Sequence, residues 1–320
     1  MGNRFEGRSA IVTGGGRGIG RTVCKLLASE GASVVVNDLG GSVDGSGTSS
    51  SPADDVVKEI RDAGGTAIAS HDSVAEYDSA GKIVQAALDK FRRLDILVHV
   101  AGILRDRMIF NMTEEEWDGV LQVHLYGAFN MVRHSVPHLI EQKYGRIVLF
   151  ASVSGLGASG QANYASAKEG IVGFSRALSR ELAEHSITIN AIYPAAASRM
   201  TATIPESTHQ LRQQQRATAG QETTPNVQQS GSILGPDEAR APENNAPKVV
   251  HLCTEEASEI TGQVFGTGGW PMTLYSPRHI TKSIHKSSRW TLDDMDELIP
   301  ISLGAGLINP MPPQEPKKKS

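Results

Sequence analysis

Up to about residue 200, short runs of β-branched and apolar residues alternate with longer stretches in which apolar side chains recur every three or four positions. The short runs predict strands at 9–13 (SAIVT), 33–38 (SVVVND), 66–70 (TAIAS), 95–101 (DILVHVA), 145–152 (GRIVLFAS) and 187–193 (ITINAIY), with a seventh at 262–269 (GQVFGTGG). The longer stretches predict amphipathic helices over 19–30, 52–63, 76–92, 113–142 and 161–185. Thr113 ahead of Glu114, Glu115 and Glu116 reads as a helix cap. Strands separated by such long crossovers must pair in parallel, because a tight turn joins only antiparallel neighbours. The rhythm predicts an α/β fold, a single doubly wound domain with a seven-stranded parallel sheet covered on both faces.

Two regions break the rhythm. Residues 39–51 (LGGSVDGSGTSSS) are small and polar and predict a loop after the second strand. Residues 202–247 carry few bulky apolar side chains beyond Ile204, Leu211, Val227, Ile233 and Leu234, so they are expected to form a flexible insertion over the substrate region. The domain is therefore placed at 1–270, insertion included, with a C-terminal extension at 271–320.

Composition narrows the function classes. With 31 Lys+Arg against 35 Asp+Glu the net charge is −4, which argues against a nucleic-acid binder, and 39% hydrophobic residues exclude a disordered or fibrous chain. Cys24 and Cys253 are too few for a disulfide framework, and His71, His134 and His138 form no metal constellation, so no metal is expected. No signal-peptide-like opening and no run near the roughly 18 apolar residues of a spanning helix is present, so no membrane partner and a cytoplasmic location are expected.

The first chemistry-bearing segment, Thr13-Gly14-Gly15-Gly16-Arg17-Gly18-Ile19-Gly20, follows a strand and opens a helix. Glycines there let a pyrophosphate approach the free N–H groups of a helix start, so Gly14, Arg17, Gly18, Ile19 and Gly20 are candidate cofactor contacts. Asp38, at the end of the second strand, can accept hydrogen bonds from both adenosine ribose hydroxyls and would repel a 2′-phosphate. Arg17 pulls the other way; the balance favours NAD, with NADP less favoured. Tyr164 and Lys168 stand four apart on a predicted helix and so share a face. An adjacent ammonium and a positive nicotinamide ring are expected to favour phenolate, making Tyr164 a proton acceptor for an alcohol.

The glycine pattern at 13–20, a serine 12 residues before Tyr164 and the Y-x-x-x-K pair together resemble the short-chain dehydrogenase/reductase family. The resemblance implies a Rossmann-type domain, assembled as a homodimer or homotetramer through the helices around 113–142 and 161–185. It implies that Ser152 polarises the substrate oxygen, with Ser154 as second candidate, that Tyr164 is the acid/base, and that Lys168 holds the nicotinamide ribose. Asp72 matches the family's adenine-binding Asp, with Ser73 beside it. His99, Ala101 and Gly102 stand where the family has Asn, Ala and Gly, and Pro194, Ala195 and Ser198 lie at the nicotinamide segment. His124 takes the place of the family's fourth catalytic residue, an asparagine, and its ordinary pKa is expected to add a titration to the rate profile. Segments such as NDLGGS (37–42), AGILRDR (101–107) and GQANY (160–164) are similar to the dehydrogenase units of the type 2 multifunctional enzymes of peroxisomes, which oxidise (3R)-hydroxyacyl-CoA thioesters with NAD. The implied small-molecule substrate is a secondary alcohol, first a 3-hydroxyacyl thioester, then a hydroxysteroid or other bulky alcohol. A dehydratase or epimerase on the same scaffold and a catalytically silent nucleotide-binding protein are the remaining readings.

Overall fold

In a computed structural model, which describes residues 2–196 and 237–307, all seven expected runs form strands. The order along the chain is β1 (Ser9–Thr13), α1 (Gly18–Ser29), β2 (Ser33–Asn37), α2 (Ser51–Asp62), β3 (Thr66–Ser70), α3 (Tyr77–Phe91) and β4 (Ile96–His99). Then follow α4 (Glu114–Leu121), α5 (Gly127–Gln142), β5 (Gly145–Phe150), α6 (Ala162–Glu181), β6 (Ile187–Tyr193), α7 (Ala246–His251), β7 (Val264–Gly266) and β8 (Thr273–Tyr275). These elements form one compact unit; residues 276–307 belong to a second, whose helix α8 (Leu292–Ile301) opens on a capping box between Thr291 and Asp294.

The sheet order is β3-β2-β1-β4-β5-β6-β7-β8, parallel from β3 to β7. Strands β1, β4, β5 and β6 are buried on both faces, as the centre of a parallel sheet between two helical layers requires. In β1, Ala10 and Val12 pack with Val23, Leu27, Ile60 and Val249 under α1, α2 and α7, while Ile11 packs with Ile83, Met131 and Ile171 under α3, α5 and α6. Each such leucine, isoleucine or valine stabilises the fold by about 1.5–3 kcal/mol relative to exposure.

The structure departs from the sequence expectation in four places. An eighth strand, β8, pairs antiparallel with β7 (Val264↔Tyr275), extending the expected seven-stranded sheet. The helix expected over 113–142 is interrupted at Gln122–Tyr126 by a wider π turn, in which Gly127 N–H reaches back to the Gln122 carbonyl. The helix expected to reach 185 ends at Glu181. Residues 237–247, the end of the expected flexible insertion, are ordered: Ala239, Asn245 and Ala246 are buried. The rest of the insertion lies outside the described residues.

Candidate active site

The switch point between β1 and β4 sets the position of the site. There the chain leaves adjacent strand ends toward opposite faces, which opens a crevice at the carboxyl edge of the sheet. Thr13 and His99 are register partners at that edge. The glycine turn runs directly from Thr13 into α1. Gly14 has φ +64°, and a Cβ there would meet the backbone of Ala101; a Cβ on Gly20 would overlap the Gly14 carbonyl. The start of α1 has neither a side-chain cap nor an acidic residue in its first turn, so its N–H groups remain available to an anion. The turn therefore fits a dinucleotide pyrophosphate: the backbone approaches closely, and the helix end is positive.

Asp38 stands beside this turn. One carboxylate oxygen accepts from Gly16 N–H at 2.9 Å, and the other accepts from Gly40 N–H at 2.8 Å. Arg17 donates to the Gly41 carbonyl at 3.0 Å through one guanidinium nitrogen. Asp72 is reached by the Ser70 hydroxyl at 3.1 Å, and Ser73 N–H donates to the Ser79 hydroxyl at 2.8 Å. Pro194 and Ala195 follow β6 at the same edge of the sheet. Ser198 lies outside the described residues.

Ser152 follows β5 in extended backbone and caps a 3-10 turn by accepting from Ser154 N–H at 3.1 Å. Its hydroxyl is hydrogen-bonded to the phenol of Tyr164, in the first turn of α6. Lys168, one turn on and buried, places its ammonium 5.5 Å from the Tyr164 ring centre and donates to the Phe150 carbonyl. Burial raises the Tyr164 phenol above its ordinary value, the Ser152 hydrogen bond lowers it, and the Asp106 carboxylate raises it further. The Lys168 ammonium, one of the two groups expected to favour phenolate, does not lower the phenol. The reason is that Lys168 is itself desolvated, which draws it down to about 7, and its charge is directed at a main-chain carbonyl.

Behind this trio lie two buried histidines. The Thr13 hydroxyl oxygen lies 2.9 Å from His99 Nδ1 and also accepts from Val100 and Ala101 N–H. With both lone pairs so engaged, the hydroxyl donates to Nδ1, which leaves the imidazole proton on Nε2, toward the His124 carbonyl. His124 Nε2 lies 2.8 Å from the Ile103 carbonyl and 3.1 Å from its N–H, so either tautomer finds a main-chain partner. The His124 ring meets Tyr164 edge-on, 5.1 Å between centres. Burial, then the charge of Lys168, draws His99 down to about 3 and His124 well below its ordinary value. The extra titration expected of His124 near neutrality is therefore corrected: desolvation holds it neutral.

These depressed values carry a sign. An unfolded chain binds protons at these histidines from about pH 6.5 downward while the folded one refuses them, so stability is lost as pH falls through that window. Thermal melts should lose about 2 kcal/mol between pH 7 and pH 5 from His99. His99→Asn should reduce that loss; an unchanged pH slope contradicts it.

Comparison with known proteins completes the site. The short chain dehydrogenase family model matches residues 8–210. Mouse peroxisomal multifunctional enzyme type 2 is 42% identical over 289 residues, 89% of this chain; the match spans only 35% of that enzyme. The 3-oxoacyl-[acyl-carrier-protein] reductase FabG of Thermotoga maritima is 34% identical over 83% of this chain and 98% of its own. A crystal structure of a short chain dehydrogenase from Mycobacterium avium superposes with a TM-score of 0.77 at 36% identity, covering 94% of this chain and 95% of that one. The chain belongs to the short-chain dehydrogenase family. It is accordingly an oxidoreductase of a family that uses nicotinamide cofactors, NAD or NADP. Among the described residues, no helix is long and apolar enough to cross a membrane.

As a short-chain dehydrogenase, this chain carries a clamp on α6, the helix of Tyr164 and Lys168, whose hydrogen bonds the motifs alone do not show. Gln161 donates to Asp106 at 2.7 Å, Arg107 N–H donates to the Gly160 carbonyl at 2.8 Å, and Asn163 donates to the Arg105 and Glu116 carbonyls at 3.0 and 2.9 Å. The start of α6 is thus bound to the segment after β4, which fixes the backbone of Tyr164. The sequence signal was that these partners, Glu116 apart, fall in two of the segments that carry the narrower resemblance, 101–107 and 160–164.

Proposed function

We propose that this short-chain dehydrogenase oxidises the secondary alcohol of a 3-hydroxyacyl thioester with NAD. The observation that carries the reading is the meeting of Ser152, Tyr164 and Lys168 beside a glycine turn flanked by a carboxylate. The turn from Gly14 to Gly20 would hold the pyrophosphate, Asp38 the adenosine ribose, and Asp72 with Ser73 the adenine end. His99, Ala101, Gly102, Pro194 and Ala195 would line the nicotinamide end. Oxidised nicotinamide supplies a hydride acceptor and a positive charge. That positive charge would favour the phenolate of Tyr164 against its burial, and the phenolate would take the hydroxyl proton of the substrate, while Ser152 would hold the same oxygen and stabilise charge on it. Lys168 holds the ribose hydroxyls from the face of α6 that carries Tyr164. His124 stays neutral and orients the segment at Ile103 against the tyrosine ring.

The thioester reading is supported by the relatives, one of which is named for reducing the 3-oxo partner of such an alcohol. A homodimer or homotetramer is part of the proposal; Tyr126 and Phe129 remain 51% and 44% exposed beside and on α5, an apolar surface a second copy would cover. A cytoplasmic site accords with two free, buried cysteines. The test is a panel of 3-hydroxyacyl thioesters, hydroxysteroids and simple alcohols with NAD, followed at the NADH absorbance band; the thioesters should give the highest kcat/KM, and a steroid leading the panel contradicts the assignment.

Cofactor choice has its own test. The wild type should prefer NAD over NADP, and Asp38→Ala should erode that preference by about tenfold, chiefly by improving NADP. A wild type that prefers NADP removes the argument from Asp38.

A further inference from the structure

Lys248, on α7, is not part of any motif in the sequence. Its ammonium donates to three main-chain carbonyls, those of Thr267, Gly269 and Pro271, at 3.0, 2.6 and 2.8 Å. All three lie in the connection between β7 and β8. Charge-assisted bonds of this kind are roughly twice as strong as neutral ones, so a loop without regular structure is gathered around one cation.

That loop in turn fixes the corner after β6. Thr267 N–H donates to the Tyr193 carbonyl at 3.1 Å. The Thr267 hydroxyl donates to Asn245 Oδ1 at 2.7 Å, and Asn245 Nδ2 donates to the Ala195 carbonyl at 3.2 Å. Asn245 and Thr267 are fully buried. Gly268 packs so closely on Ala195 that a Cβ there would overlap the alanine methyl. Pro194 and Ala195 are therefore held from the strand before them, from Asn245 and from Gly268, and the last two supports depend on the loop that Lys248 gathers.

We propose that Lys248, with Thr267 and Asn245, is a positioning group for the nicotinamide end of the cofactor site. The clasp sets the backbone of Pro194 and Ala195 without touching the cofactor. This rests on the reading that these two residues border the nicotinamide.

A structural role alone would weaken the whole site, whereas a clasp on this corner affects only ligands that reach it. ADP-ribose shares the pyrophosphate and adenosine of the dinucleotide and lacks the nicotinamide ring. Titrations with NADH and with ADP-ribose therefore separate the two roles. Lys248→Met should weaken NADH binding by about tenfold and leave ADP-ribose within about twofold, the scale of one lost charge-assisted hydrogen bond. Thr267→Val, which removes only the bond to Asn245, should change the two ligands in the same unequal way and carries the test if Lys248→Met does not fold. Equal weakening of both ligands, or no change in either, overturns the proposal. A wild type that binds neither ligand instead refutes the dinucleotide site on which it rests.

Discussion

Tyr164→Phe should lower kcat for alcohol oxidation by about a thousandfold, the scale of a lost general base, while the dinucleotide still binds within about twofold of wild type. The substitution removes one oxygen. The ring keeps its edge-on contact with His124, and α6 keeps its clamp through Gln161 and Asn163, so the fold and the glycine turn are untouched. What is lost is the atom to which Ser152 is hydrogen-bonded. Stopped-flow turnover and NADH fluorescence titration check the two halves. More than a tenth of wild-type turnover shows that another group moves the proton.

Lys168→Met should also cost activity, by about a hundredfold or more, yet make the protein more stable. Lys168 is 3% exposed, and the carbonyl of Phe150 accepts from its ammonium, so folding removes this cation from water with little compensation. A methionine of similar shape has no charge to desolvate, and the gain should be about 1–3 kcal/mol. The pH dependence gives the signature. Burial draws the folded amine down to about 7 against an ordinary 10.5, so between these values the unfolded chain binds the extra proton. Wild-type stability should therefore rise from pH 7 toward pH 10, and the rise should be smaller in Lys168→Met. Calorimetric melts at pH 7, 8 and 9 measure both. A variant less stable than wild type at pH 7 means the ammonium is better solvated by its surroundings than its burial implies.

Much of this was legible in the sequence because it depends on local pattern. Each parallel strand is a short β-branched run bounded by turn residues, and the Gly14–Gly20 spacing follows from how closely a strand-to-helix turn must approach the end of β4. The π turn at Gln122–Tyr126 was not legible, because one added residue leaves the apolar spacing of a long helix almost unchanged. Nor was β8, whose three residues are too few to show alternation. At the site, the identities of Tyr164, Lys168 and His124 were readable but their protonation was not. Neutral histidines and a lysine near 7 arise from burial, joined at the histidines by the charge of Lys168, and this outweighs main-chain carbonyls such as that of Ile103, which favour the protonated form. The clasp of Lys248 is invisible because its partners are carbonyls, which every sequence has.

Central to the account is that hydride leaves the carbinol carbon for the nicotinamide while Tyr164 takes the proton. Wild-type enzyme supplied with NAD and a 3-hydroxyacyl thioester deuterated at carbon 3 measures this directly. The account predicts one deuterium in the reduced nicotinamide for each ketone formed, read by mass spectrometry; deuterium released to water, or product formed without reduced dinucleotide, would contradict it.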